Sequence, residues 1–129
     1  MLKIDAGSPV PVYEQLKRQI KLGIVSGEYP PDSRMPSIRQ LASQLTINPN
    51  TIAKVYRQLE SEGFLQSRTG SGFFVRLEQE HIDETRKMLL AEMAEEFISK
   101  SIELGFTPEE LINTISIKLE RKPANDKIK

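Results

Sequence analysis

Apolar residues recur at helical spacing in five stretches of this chain, and two short apolar runs near its middle have strand character. Leu16, Ile20 and Ile24 return every four residues and predict a first helix from Pro11 to about Ser26. Pro11 suits the first turn, where its missing N–H costs nothing. Gly27 and the run Tyr29-Pro30-Pro31-Asp32 stop that helix. A second helix opens at Ser37, whose hydroxyl and Gln40 have capping-box spacing, and carries Ile38, Leu41, Ala42 and Leu45 on one stripe. Asn48 as N-cap, Pro49 in the first turn and a closing Gly63 bound a third helix with Ile52, Val55 and Leu59 inside. Phe64 to Ser67 and Phe73 to Val75 then read as strands around Thr69-Gly70-Ser71-Gly72, where glycine permits the positive φ of a hairpin tip.

Beyond Arg76 the period lengthens into one helical pattern from Glu78 to Leu104. Ile82, Leu89, Met93 and Phe97 form one seam, with Leu90, Ala94, Ile98 and Ile102 beside it. Gly105 ends it, and Thr107-Pro108-Glu109-Glu110 starts a last helix bearing Leu111, Ile112, Ile115 and Leu119. The expected fold is mostly α with a small β-hairpin: a winged helix-turn-helix domain over residues 1–76, a two-helix dimerisation hairpin over 77–122, and a polar tail over 123–129.

Charge sharpens that division. The 129 residues hold 18 basic and 18 acidic side chains. Residues 1–77 carry ten Lys/Arg against six Asp/Glu, whereas residues 78–129 carry eight against twelve. A basic front and an acidic back suit a polyanion partner for the front half. The absence of cysteine excludes a disulfide framework and thiolate chemistry and suits a reducing cytoplasm. No signal peptide or membrane span is expected, since no apolar run is long enough. A single histidine, His81, cannot build a multi-histidine metal site. With Glu78, Glu80, Asp83 and Glu84 it reads as a solvated helix start rather than a metal centre. No nucleophile elbow, phosphate loop or metal-ligand spacing is present, so neither enzymatic activity nor a cofactor is expected.

Candidate binding chemistry concentrates between Arg34 and Gly72. Opposite the buried stripe of the third helix lie Asn50, Lys54, Arg57 and Ser61. Short polar residues at the tip of a groove-binding helix (here Asn50 and Thr51) meet base edges, and Asn can pair bidentately with adenine. The small Ala53 would permit close approach. Lys54 and Arg57 can serve either guanine or phosphate, and their spacing does not decide between them. Arg39 and Ser37 on the second helix suit phosphate contacts. Arg68, Thr69 and Gly70 enter the hairpin, where an Arg can reach a minor groove and a bare glycine N–H a phosphate. A polar helix face alone is ordinarily just solvated; the adjoining basic, glycine-tipped hairpin is what points to double-stranded DNA.

Pro36-Ser-x-Arg39-x-Leu41-Ala42, Asn48-x-x-Thr51, Leu59-x-x-x-Gly63-Phe64-Leu65 and Gly70-x-Gly72-x-x-Val75 resemble the DNA-binding domain of the GntR family of bacterial transcription regulators. Pro11-Val-Tyr13-Glu-Gln15-Leu16 is similar to its first helix, so the likeness covers about residues 9–76. The resemblance implies that Arg34, Ser37, Arg39, Asn48, Asn50, Thr51 and Gly70 fall on operator-contacting positions. Ile38 stands where many members have an acid, and Pro49 and Ala53 where many have an Arg. The backbone-clamping role therefore transfers better than a base preference.

Taking 76 from 129 leaves 53 residues after the winged domain, enough for two helices and a tail but not for a wall around a metabolite. That length and the Asn48-Pro49-Asn50-Thr51 turn resemble the YtrA-like branch, which implies a short helical dimerisation element and repression of operons encoding ABC transporters. Physics argues separately for self-association. Leu89, Leu90, Met93, Phe97, Ile98, Ile102, Leu111 and Ile115 need a cover, because each large apolar side chain left in water forgoes roughly 1.5–3 kcal/mol. Met88 and Met93 read as filler of that interface rather than a ligand surface. Folding back onto the winged domain is the rival arrangement, and a winged-helix protein-interaction module without DNA is the rival function. The expected protein is a cytoplasmic homodimeric repressor on an inverted-repeat operator, its partners being DNA and itself, with no effector identified.

Overall fold

Capping side chains fix the starts of three of the five helices. In the computed structural model, which describes residues 2–76 and 78–121, the elements are α1 (Val12–Val25), α2 (Ile38–Leu45), α3 (Pro49–Ser61), β1 (Leu65–Arg68), β2 (Gly72–Val75), α4 (Gln79–Glu103) and α5 (Pro108–Arg121). The tail read at 123–129 lies outside the described residues. At α2 the capping box closes in both directions: the Gln40 N–H donates to the Ser37 hydroxyl and the Ser37 N–H to Gln40 Oε1, each at 3.0 Å. At α5 the Thr107 N–H donates to Glu110 Oε1 at 2.8 Å, and the Glu110 N–H to the Thr107 hydroxyl at 3.2 Å. Pro11 is the N-cap of α1, one position before the first turn where its sequence placed it, and its carbonyl accepts from Gln15. The first strand is displaced by one residue, because Phe64 is still in the turn that leaves α3.

Two compact units divide between Met88 and Leu89. In the first, α1 and α2 pack on α3, which also meets β1. Leu16, Ile20, Met35, Leu41, Ile52, Val55, Tyr56, Leu59, Leu65 and Val75 are almost wholly buried there. Tyr56, outside the apolar stripe read along α3, is the largest of them. Its ring meets Phe73 edge-on at 5.1 Å, its hydroxyl donates to the Pro36 carbonyl at 2.7 Å, and burial pushes its pKa up. Gly23 is required by a close approach, since a Cβ there would lie 2.5 Å from the Tyr29 ring.

The hairpin pairs Leu65 with Val75 and Arg68 with Gly72, antiparallel. Residues 32–35 line the other edge of β2: Asp32 donates to the Val75 carbonyl, Val75 to Ser33, and Met35 to Phe73, at 2.8–2.9 Å. The segment before α1 is tied down by two amide side chains. Gln19 exchanges hydrogen bonds with the Lys3 backbone, and Gln15 accepts from the Asp5 N–H and donates to the Asp5 and Val10 carbonyls. Leu2 and Ile4 thereby reach the core edge.

Residues from Leu89 onward form the second unit, where a turn at Leu104–Thr107 joins α4 to α5. Leu111 and Ser101 are buried in it, while Leu90, Met93, Phe97, Ile98, Ile102, Ile112, Ile115 and Leu119 stand exposed. Among the described residues α5 has no extensive packing against another element. No described helix is long and apolar enough to cross a membrane.

Candidate nucleic-acid interface

Asn48 caps α3 with its side chain, accepting from the Asn50 N–H at 2.8 Å, while its carbonyl accepts from Thr51. The Asn48 carboxamide oxygen is thus committed to the helix start, and its amino group remains to donate outward. Asn50, Lys54, Arg57 and Ser61 are exposed along the outer face, and Thr51 is half-buried at its edge. Lys54 is steered by its neighbour: its ammonium lies 5.4 Å from the Tyr13 ring centroid, a contact between α3 and the first turn of α1. Arg57 has no ion-pair partner among the described residues.

The start of α2 supplies two further groups. Ser37 spends its oxygen lone pair on the cap, which leaves the hydroxyl proton free to donate. Tyr56 holds the preceding Pro36 carbonyl, so a buried residue of α3 positions this helix start. Arg39 is exposed and unpaired among the described residues.

The wing departs from its reading in one respect. Arg68 does not stand at the tip: it is the last residue of β1, with its guanidinium 4.0 Å from the Phe74 ring centroid and 3.4 Å from the Asp32 carboxylate. Thr69, Gly70 and Ser71 make the tip, closed by the Ser71 N–H donating to the Arg68 carbonyl at 2.8 Å, with Gly70 at φ +76°. Arg34 lies along the other edge of the sheet. A Cβ on Gly72 would touch its guanidinium at 3.5 Å, and φ +99° at Gly72 bars most other residues in any case. The structure therefore gathers Arg34, Arg68 and the tip on the wing, while Ser37 and Arg39 come from α2 and the outer face from α3.

Electrostatics leave these cations in surplus. Lys17 and Lys21 of α1 share the single carboxylate of Glu62 at the end of α3, at 2.6 and 3.0 Å. Partial burial pushes the Glu62 carboxyl up, but hydrogen bonds from Lys17, Gln58 and Lys21 outweigh it and hold it at about 2. Lys17 is shifted up by the same pair, against the opposing effect of its burial. The Ser67 N–H and hydroxyl hold Glu60 below the usual carboxylate range and tie it to β1. With these acids occupied, Arg34, Arg39, Lys54 and Arg57 face solvent unopposed by a salt bridge. Asp32, Tyr13, Tyr56 and Phe74 complete the arrangement and went unread in the sequence, because each acts through a partner distant along the chain.

A groove of about 480 Å³ on α4 is lined by Glu92, Glu95, Glu96, Ser99, Lys100 and Glu103. Its lining lacks the apolar side chains that bury a small ligand.

Known proteins share this architecture. The family described as "Bacterial regulatory proteins, gntR family" matches residues 12–75. The uncharacterized HTH-type transcriptional regulator YhcF of Bacillus subtilis is 37% identical over 84% of this chain and 89% of its own length. The HTH-type transcriptional repressor YtrA of the same organism is 39% identical over 58% of each chain. Among solved structures, AraR(DBD) in complex with operator ORX1 superposes with a TM-score of 0.53 at 33% identity, covering 57% of this chain and 95% of that one.

Proposed function

Because the chain belongs to the gntR family of bacterial regulatory proteins, and is thus a DNA-binding transcription regulator, we propose that it represses transcription as a homodimer on an inverted-repeat operator. Each α3 enters a major groove with Asn50 and Thr51 toward base edges. Ser37, Arg39 and the Arg34–Gly72 edge of the wing hold phosphates on either side. One observation carries this reading: the outer face of α3 is polar, exposed and free of salt bridges among the described residues, while Glu60 and Glu62 at the end of that helix are engaged with β1 and α1.

Dimerisation is supported by the large apolar side chains that stand exposed on the second unit among the described residues. Of the residues assigned to the interface, Leu89 and Leu111 are already buried in one chain. Leu90, Met93, Phe97, Ile98, Ile102 and Ile115 remain for the partner. The resemblance to the YtrA-like branch extends the reading to an operon encoding an ABC transporter, in the cytoplasm.

Two substitutions test the division of labour. Arg39→Ala removes about one phosphate contact, so binding weakens on every sequence and the slope of log affinity against log salt falls by about one. Asn50→Ala relaxes preference at its base pair, a loss of about 1–3 kcal/mol of discrimination. Equal loss on operator and random DNA in the Asn50 variant would exclude base reading by α3. Footprinting of the wild-type chain supplies the operator, and two protected half-sites are expected.

A further inference from the structure

Asp32 stands at a turn position whose backbone asks for Gly, Asn or Asp but not for a charge. It follows two prolines in a turn closed by the Ser33 N–H donating to the Pro30 carbonyl at 3.0 Å, and its φ is +67°. Glycine fits that left-handed conformation without strain, and Asn tolerates it as well as Asp does. What Asp adds is a carboxylate, and it stands 3.4 Å from the Arg68 guanidinium. The same guanidinium is stacked on Phe74, whose outward face follows from strand alternation: Phe73 points inward onto Tyr56, and Phe74 is the bridge partner of Arg34. The cation nearest the wing tip is thus laid flat on the sheet and balanced by an acid from the far edge.

The pair is built to exchange. Its side chains are 43% and 85% exposed for Arg68 and Asp32, a setting in which ion pairs are weak and easily replaced. A phosphate makes a stronger charge-assisted partner for Arg than a solvated surface acid does. We propose that Asp32 is an autoinhibitory contact of the wing: it occupies Arg68 in place of a phosphate, and every complex in which Arg68 reaches a phosphate must first break that pair. The cost falls most on operator DNA, where the wing is seated and Arg68 makes its contact, and least on loosely held, nonspecific DNA, where Arg68 can stay with Asp32. This inference rests on the DNA-binding reading above.

The test uses the full chain with two duplexes: one of random sequence, and an operator selected by the wild-type chain from a random pool. Asp32→Asn preserves the left-handed turn while removing the charge. It is expected to tighten operator binding about two- to fivefold, the range of an exposed ion pair. Random-duplex affinity changes less than twofold, so the ratio of specific to nonspecific binding rises. In an Arg68→Gln background the substitution should have no effect. Equal tightening on both duplexes, or the same tightening without Arg68, would reduce Asp32 to a generic negative charge and overturn the proposal. Asp32→Gly repeats the measurement should the Asn variant unfold. A wild-type chain that binds neither the pool nor the random duplex at low salt removes the DNA-binding reading itself, and the wing gate with it.

Discussion

The two units spend their apolar residues differently. Along α1, α2 and α3, Leu16, Ile20, Leu41, Ile52, Val55 and Leu59 face one another and exclude water within a single chain. On α4, α5 and the turn between them, Leu90, Leu104 and Leu119 are 67%, 76% and 68% exposed, and Phe97 and Ile98 are exposed as well. Both units are built largely of helices, so helix formation as such does not separate them. The winged unit has a third direction: the hairpin and residues 32–35 close the core over Tyr56 and Met35. Two consecutive helices lack such a lid, and an apolar face of that size marks an association surface. The comparison teaches that the first unit closes its own core and presents polar groups, whereas the second leaves an apolar face exposed, which the proposed second copy would cover.

Substitution inside the winged core should give the largest effect. Tyr56→Ala removes a fully buried ring, its contact with Phe73 and the hydrogen bond to Pro36, and a loss of about 3–5 kcal/mol is expected in denaturant unfolding. The matching change in the second unit, Ile98→Asp, should leave the winged unit's melting intact. It should weaken self-association by about 2–3 kcal/mol, roughly the value of one buried aliphatic side chain. Sedimentation at several concentrations reads this directly, and an unchanged dimer would move the interface elsewhere.

Glu62 offers a smaller, pH-dependent probe of the winged unit. Its folded pKa of about 2 lies below the ordinary value of 4.5, so the pair with Lys17 and Lys21 contributes fully above pH 4.5 and is lost as pH falls toward 2. Allowing for solvent screening of a partly exposed site, the contribution is on the order of 1–2 kcal/mol. Melting of Glu62→Gln should fall below wild type at pH 6 and converge with it near pH 2. A constant gap across that range would mean the carboxylate charge is not what binds α3 to α1. The smallest expected effect is a gain. Thr46, at φ +56° in the turn between α2 and α3, is a β-branched residue in a left-handed conformation. Thr46→Gly should stabilise by about 0.5–1 kcal/mol in thermal unfolding, the strain relieved exceeding the entropy glycine adds to the unfolded chain.

What could be read in advance was whatever is decided within a turn or two of the chain. Ser37 with Gln40, Asn48 with Pro49, and Thr107 with Glu110 cap their own helices, and the glycines at 70 and 72 permit their own hairpin; each signal and its consequence lie within a few residues. The exposed face of α3 was legible for the same reason, as the complement of its apolar stripe. Family motifs added the operator-contacting positions.

Tertiary structure alone decided the rest. That Tyr56 is core and a strut for α2, that residues 32–35 act as a third edge of the sheet, and that Gln15 and Gln19 bind the N-terminal segment are facts about partners between ten and twenty residues or more away. So is the fate of Arg68, which by sequence belonged to a free loop and by packing belongs to Phe74 and Asp32. Periodicity dictates which side of an element turns inward; which residue it meets there depends on how the chain returns, and no local rule contains that.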